Sequence, residues 1–241
     1  MNKKWFLLSG LGVLFTFAGS VSAAKLETSQ SVDAGSFGIY VSGKRIATET
    51  FSVNQGPGGS LAKSQMKAED GGAQASELEL GGAGELRHYE WHELSPGRAE
   101  ATVSPNGEFL TEKLIPAPGE KPFEQPFLVG TTTSILDDFF FLHREILAWR
   151  YLASACTQEK GNFQCKGGKI QLGVLVPRQR ASMLVSIQFV AREKVDIHGT
   201  MRELTKLSLS SEAGDWWIWL DDSLKLIRIV IPAENTEVLR D

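Results

Sequence analysis

Apolar and polar residues alternate along most of the chain, and this period of two favours antiparallel β-structure. Phe37, Ile39 and Val41 occupy one face of the first such segment, and Ser42-Gly43-Lys44 then supplies a turn into a second strand at 46–53. Further strands are predicted at 61–69, 76–80, 85–94, 98–104, 169–178, 183–194, 202–210, 215–220 and 224–231. The proline-rich segment 116–126 is predicted to be an extended loop.

One segment breaks the alternation. Residues 131–134 read Thr-Thr-Thr-Ser and can cap a helix, and Asp137 and Asp138 suit its positive N-terminal end. The apolar run that follows predicts one helix at about 134–152 that is covered on most sides. We therefore predict a mostly β (α+β) fold, in which a strongly curved antiparallel sheet or half-barrel holds this apolar helix in its concave face.

The N-terminus has the pattern of a secretory signal peptide. Two lysines precede an uncharged run at 5–18, and a small-residue cleavage pattern ends at Ala23. We predict a cleavable signal peptide at 1–23, a single β-rich envelope domain at 24–241, and a periplasmic or secreted location. An uncleaved anchor is the alternative, which the short apolar run disfavours. We expect no transmembrane span after cleavage, because no later segment is long and apolar enough.

The charge balance argues against a nucleic-acid partner. The chain carries 25 basic and 29 acidic side chains, a formal net charge of −4, whereas nucleic-acid binders usually present a basic face. No catalytic or cofactor motif rises above background, so we expect no cofactor and, on balance, no enzymatic activity.

Cys156 and Cys165 are the two cysteines of the chain and flank a short polar loop. In an exported chain this spacing predicts a local disulfide. Closing so small a ring stabilises a fold by about 2–3 kcal/mol on the chain-entropy model. A redox or metal pair is the alternative, but catalytic dithiols favour a two-residue spacing.

A candidate metal site lies at His88, Glu90 and His92. Period-two alternation places these three side chains on one strand face, opposite Tyr89 and Trp91. Imidazole and carboxylate groups both suit zinc or a similar ion. The simpler interpretation is a solvated strand face with the aromatic residues in the core.

The apolar helix supplies the candidate ligand-binding residues. His143 is a possible general base, but no local sequence pattern activates it, and a core or pocket-lining histidine is the simpler interpretation. Arg150 lies on the same broad face and suits a ligand headgroup or carboxylate, but pairing with an internal acid such as Asp138 or Glu145, or contact with solvent, is the simpler interpretation. The residues predicted to line a ligand cavity are Phe139, Phe140, Leu142, His143, Ile146, Trp149 and Arg150.

The segment 215–220 reads Asp-Trp-Trp-Ile-Trp-Leu and is apolar on both faces. Trp217 and Trp219 point to one side, while Trp216 and Ile218 point to the other. The pattern predicts a strand that is covered on both sides. A sugar or lipid site lined by the tryptophans is the alternative.

Two segments carry a resemblance to bacterial envelope proteins. The opening GSFGIYVSGKRIATETFSV at 35–53 resembles the starts of exported domains of unknown function, and the closing WIWLDDSLKLIRIVIP at 217–232 belongs to the same outline. The order of elements looks like the half-barrel of the lipoprotein carriers LolA and LolB. The resemblance implies a concave apolar surface for an acyl chain or hydrophobic peptide. The helix with its cysteine loop departs from the carriers' pattern.

These observations leave three hypotheses about function. The first is a non-enzymatic envelope protein that binds a lipid, another hydrophobic small molecule or a lipidated partner in a half-barrel cavity. The second is a structural or assembly protein with a fully packed interior that binds another envelope protein. The third is a metal-dependent enzyme that uses His88, Glu90 and His92.

Overall fold

The predicted curved sheet is present and contains fifteen strands. A computed structural model describes residues 29–159, 162–165, 168–212 and 214–241. The signal peptide predicted at 1–23 lies outside these described residues, and its cleavage and the predicted location stay predictions.

Two meanders form the sheet. The first contains β1 (Gln30–Val41), β2 (Lys44–Gly56), β3 (Gly59–Ala68), β4 (Ala73–Gly81), β5 (Leu86–Ser95), β6 (Glu100–Asn106), β7 (Phe109–Ile115) and β8 (Phe123–Phe127). The second region contains β9 (Ser134–Ile135), α1 (Leu142–Ala155), β10 (Cys156–Glu159), β11 (Asn162–Cys165), β12 (Ile170–Val176), β13 (Ala181–Ile197), β14 (Thr200–Ser211), β15 (Gly214–Leu220), β16 (Leu226–Ile231) and β17 (Thr236–Arg240).

Consecutive strands pair with each other from β1 to β8 and from β12 to β17, which is typical of hairpin-connected antiparallel sheets. The turn at Ser42-Gly43 has positive φ at both residues, 51° and 77°, as the right-handed twist of a tight hairpin requires. The two meanders join where β1 pairs with β17, with Ile39 opposite Val238. The sheet remains open, with β8 at one end and β9, parallel to β12, at the other.

The apolar positions of the strands and the helix form one main core. Phe37, Tyr89 and Phe140 are fully buried in it. A smaller cluster surrounds Trp219. Ile218 belongs to the main core and Trp219 to the smaller cluster, so β15 is covered on both faces as predicted.

The helix prediction is correct in kind but wrong in its start. Residues 134–135 form β9, and the Leu136 N–H donates to the Leu175 carbonyl oxygen at 2.9 Å. This pairing keeps the backbone extended, and α1 begins only at Leu142. The predicted cap at 131–134 is therefore wrong, because tertiary strand pairing outweighs the local capping signal.

The proline-rich segment also differs from its prediction. Its C-terminal part forms β8, which pairs with β7 and places Pro126 opposite Thr111. Proline is compatible with this position because β8 is an edge strand.

The predicted disulfide between Cys156 and Cys165 is confirmed. The two residues face each other across the two-stranded β10–β11 ladder. The bridge therefore joins the end of α1 to the chain that returns toward β12. Within the described ranges, no helix is long and apolar enough to cross a bilayer.

Candidate functional site

The first turn of α1 is not apolar, which corrects the sequence-based description of this helix. His143, Arg144 and Glu145 follow one another and are 2%, 1% and 0% exposed. Buried ionisable groups are costly unless they are paired or neutral. Their partners therefore define the architecture around the helix.

Glu49 on β2 caps the helix from a distant strand. Its carboxylate accepts the Phe141 N–H at 2.7 Å and the Leu142 N–H at 3.3 Å, and it also accepts the Ser64 hydroxyl. The first N–H groups of a helix have no intrahelical partner, so this carboxylate satisfies them. Complete burial raises the pKa of Glu49 to about 7, although these hydrogen bonds oppose the rise.

Asp137 is the centre of a second buried network. It accepts the Tyr89 hydroxyl at 2.8 Å and the Phe139 N–H at 2.9 Å, and the Arg178 guanidinium lies 3.4 Å away. The Asp137 N–H donates to His143 Nδ1 at 3.2 Å. Burial, followed by the nearby Arg144 charge, lowers the pKa of His143 to about 3, so the imidazole is neutral. These contacts favour the structural interpretation of His143.

Arg144 connects the two networks. It donates to the carbonyl oxygens of Asp137 and Phe140, and its guanidinium lies 4.3 Å from the ring centre of Trp216. Burial lowers its pKa to about 10, whereas the surrounding carboxylates, including Glu49, oppose this decrease. Arg144 therefore remains charged at neutral pH and compensates the buried acids.

A third network lies where the two meanders join. Arg240 donates to both carboxylate oxygens of Asp33, at 2.7 and 2.9 Å, and Lys225 lies 3.0 Å from the same group. Burial alone raises the pKa of Asp33, but the hydrogen bonds from Arg240 and Lys225 bring it below the ordinary value. Glu145 accepts the Leu226 N–H at 2.7 Å, and burial raises its pKa well above the ordinary range.

Glu112 on β7 is buried without compensation. It is 1% exposed, and within the described part of the chain no donor reaches either carboxylate oxygen. Burial raises the pKa of Glu112 to about 7, while the Arg180 charge opposes the rise. Glu112 is therefore a source of pH-dependent stability.

We expect the contribution of Glu112 to the free energy of unfolding to fall as the pH rises from about 5 to about 8. The folded-state pKa of Glu112 is above the unfolded value near 4.5, so its stabilising proton is lost as the pH rises through about 7. Glu112→Gln should leave stability at pH 5 nearly unchanged and raise it at pH 8 by about 1–3 kcal/mol. Urea denaturation at the two pH values measures this, with exposed Glu108→Gln as the control. Equal stability of Glu112→Gln and the unchanged protein at pH 8 would contradict the assignment.

One side of α1 faces a cavity, while Ala148, Tyr151 and Leu152 on its other side pack in the core. This cavity has a volume of about 360 Å³, within the range of small-molecule sites, and lies between the helix and β1–β4. Most of its lining is aliphatic or aromatic. The lining residues are Val32, Val53, Gln55, Ser60, Leu78, Leu80, Gly81, Gly82, Ala83, Gly84, Ser134, Ile135, His143, Ile146, Leu147, Trp149, Arg150 and Ala153.

The structure divides the predicted ligand-binding residues into two groups. His143, Ile146, Trp149 and Arg150 lie together on the wall of this cavity, which we name the helix cavity. The remaining three, Phe139, Phe140 and Leu142, are not among its lining residues, and their predicted placement there is corrected. Phe140 and Leu142 are buried in the core, whereas Phe139 borders an open cleft of about 900 Å³ beneath Arg178. Phe139 and Phe140 precede the first residue of the helix, which explains why they do not lie on the helix face that lines the cavity.

Arg150 is the charged group of the helix cavity. Its Nη1 donates to the Ser134 hydroxyl oxygen at 2.7 Å, and the residue is half-buried. No carboxylate in the described part of the chain forms an ion pair with it, so the predicted pairing with an internal acid such as Asp138 or Glu145 is absent there. Burial lowers the pKa of Arg150 from its ordinary value.

Sequence reasoning did not identify the sheet side of the helix cavity. Val53, Leu78 and Leu80 come from β2 and β4, and the glycine-rich 81–84 turn forms part of the rim. The alternation of the strands indicates that these residues share a face. The register between strands then decides which of them oppose the helix.

The candidate metal residues lie on one face of β5, as the alternation predicts. His92 Nε2 is 2.6 Å from Glu90 Oε1, and His88 Nε2 is 3.9 Å from Glu90 Oε2. His92 Nδ1 also lies 3.6 Å from Glu100, and His88 Nδ1 is 3.0 Å from the Ser104 hydroxyl.

These side chains are already bonded to neighbouring residues. They are 35–40% exposed, while Tyr89 and Trp91 on the opposite face are buried. Throughout the described ranges, no group of three or more His, Cys, Asp or Glu side chains has metal-binding geometry. The metal hypothesis stays a prediction that metal analysis of the purified protein tests.

Comparisons with known proteins give information on the fold. No protein-family model and no curated protein sequence matches the chain. The chain is similar to a crystal structure of a β-barrel-like protein of the domain of unknown function DUF1849 from Brucella abortus, with a TM-score of 0.51 and 8% identity. The match covers 86% of this chain and 95% of that chain.

Identity this low shows the fold alone. The match agrees with the resemblance to a bacterial domain of unknown function, whereas the likeness to LolA and LolB stays a prediction. The chain therefore has a mostly β, curved and open architecture, and its fold is similar to that of a bacterial β-barrel-like domain of unknown function.

Proposed function

We propose that this chain is an exported, non-enzymatic protein of the bacterial cell envelope that binds a hydrophobic ligand in the helix cavity. The observation that carries the proposal is the cavity itself, which lies between α1 and the sheet and is lined mainly by apolar side chains. One side of the helix packs into the core, where Ala148, Tyr151 and Leu152 are buried, whereas Trp149 and Arg150 on another side border the cavity. A protein with a purely structural core gains nothing from such a space, because an unfilled apolar cavity reduces stability.

The lining of the helix cavity favours an apolar occupant. Val53, Leu78 and Leu147 form its buried part, whereas Val32 at the rim is 41% exposed. Covering such surface contributes about 25 cal/mol for each Å² removed from water. His143 also contributes a neutral ring to this wall, since its pKa lies far below physiological pH.

Two features support the envelope part of the proposal. The sequence pattern at 1–23 is typical of an export signal. The Cys156–Cys165 disulfide is typical of oxidising compartments such as the periplasm. The carrier-like outline of the sequence adds an acyl chain as the ligand class to test first.

Blocking the helix cavity should abolish ligand binding. Leu80→Trp places a larger side chain in the lining, so we expect the affinity for the neutral apolar dye Nile red to fall about tenfold or more, which corresponds to 1.4 kcal/mol or more. Fluorescence titration measures this affinity. Leu184→Trp is the matched control, because Leu184 is 61% exposed on β13 and does not line the cavity.

A second measurement tests for a natural occupant. Native mass spectrometry of protein purified from the periplasm, with lipid extraction of the same sample, should show a bound apolar molecule that the Leu80→Trp protein lacks. Repeated bare polypeptide masses together with unchanged dye binding in Leu80→Trp would refute the proposal and favour the assembly-partner hypothesis.

A further inference from the structure

The helix cavity combines an apolar interior with one cation, Arg150, for which the described residues provide no counter-ion. Arg150 lines the cavity, and in the described chain its sole side-chain hydrogen bond is with the Ser134 hydroxyl. A half-buried guanidinium is unfavourable without an anion, and it binds carboxylate or phosphate oxygens with several N–H donors. The remaining donors of Arg150 are available for such a group.

Ser134 provides a second donor at the same place. Its hydroxyl oxygen accepts the Arg150 N–H at 2.7 Å, so its own hydrogen is available to a ligand. Both residues border the aliphatic part of the cavity that Ile135 and Ile146 help to form. An anion at Arg150 would therefore have apolar surface beside it for an attached chain.

The dimensions of the cavity limit the apolar part of the ligand. The helical lining extends from His143 to Ala153, which corresponds to about 15 Å along the axis at 1.5 Å per residue. A volume of about 360 Å³ lies near the lower end of the range for small-molecule sites. This shape suits one extended chain and not a bundle of several.

We propose that the ligand is a single-chain amphiphile whose anionic head, a carboxylate or a phosphate, binds Arg150 and Ser134 while its chain occupies the apolar cavity. This inference rests on the proposed binding function and specifies its ligand class. The shared chemistry is one negative head on one acyl or alkyl chain.

Displacement of Nile red by three ligands of equal chain length tests the inference. Dodecanoate and dodecyl phosphate carry an anionic head and dodecanol does not, and all are used below their micelle-forming concentrations. We expect at least one anion to bind about tenfold or more tightly than dodecanol, because hydrogen bonds to charged groups are stronger than neutral ones. The anion with the higher affinity, dodecanoate or dodecyl phosphate, identifies the preferred head group as a carboxylate or a phosphate.

Variants of Arg150 link this preference to the proposed contact. Arg150→Met should reduce the preference for the anion over dodecanol to near unity, and Arg150→Lys should retain part of it. Arg202→Met, which removes a partly exposed cation outside the cavity, is the matched control and should retain the full preference. Ser134→Ala should reduce the preference for the anion over dodecanol by less than Arg150→Met.

The possible results separate the two proposals. Equal affinity of the unchanged protein for dodecanol and both anions would overturn the anionic-head inference and leave the binding function standing. Absence of binding by Nile red and all three ligands would overturn both. The affinities of the unchanged protein for dodecanol and the two anions test the inference even if Arg150→Met does not fold.

Discussion

Replacement of Glu49 by alanine is expected to lower the free energy of unfolding by about 3–5 kcal/mol. The substitution removes the side-chain acceptor for the N–H groups of Phe141 and Leu142, and both of these residues are buried. It also removes a compensating charge near the buried Arg144. Urea denaturation followed by far-ultraviolet circular dichroism measures the loss.

Two further variants separate the capping role of Glu49 from a simple loss of volume. Glu49→Gln keeps one of the two acceptor oxygens and loses the other, so it should cost less than Glu49→Ala, about 1–3 kcal/mol. Glu69→Ala on an exposed position should change stability by about 0.5 kcal/mol or less. A loss in Glu49→Ala no larger than that in Glu69→Ala would show that the carboxylate does not cap the helix.

Replacement of Arg240 by methionine is expected to cost a similar amount, about 3–5 kcal/mol. The Asp33 side chain is fully buried, and its two-point contact with Arg240 is lost while the carboxylate remains. Lys225 retains one contact at 3.0 Å and limits the cost. Arg202→Met, which breaks a more exposed ion pair, should cost less than about 1 kcal/mol.

A double variant tests whether the cost comes from the unpaired acid. Asp33→Asn combined with Arg240→Met removes both charges, so the total loss should be smaller than the sum of the single losses. Strict additivity would show that Arg240 acts through packing on Phe37 and Phe51, whose ring centres lie 5.9 and 5.2 Å from its guanidinium. The pair matters for the whole fold because it joins β1 to β17, where the two meanders meet.

Part of the candidate site was predictable from local pattern. His143, Ile146, Trp149 and Arg150 follow one another at helical spacing, and the structure brings them to one cavity. The sheet side and the unpaired state of Arg150 were not predictable in this way. They depend on strand register and on the position of Ser134, which are set by contacts between distant parts of the chain.

The sequence by itself predicted the fold class, one helix and most of the strands, whereas β7, β8 and β17 were not predicted. Alternation with a period of two predicts strands such as β1, because adjacent side chains of a strand point to opposite faces. The spacing of Cys156 and Cys165 likewise predicted a bridge that the structure confirms. These signals are local, so a single sequence contains them.

Tertiary structure alone decided where the helix begins and which charges it buries. The Thr-Thr-Thr-Ser segment has a good capping sequence, yet pairing of β9 with β12 keeps Ser134 and Ile135 extended, and Glu49 caps α1 from 93 residues away. The same long-range packing buries His143, Arg144 and Glu145 and leaves the later turns beside a cavity. The physical reason is that desolvation and hydrogen-bond partners depend on the elements that the folded chain brings together, and helical periodicity contains no information about them.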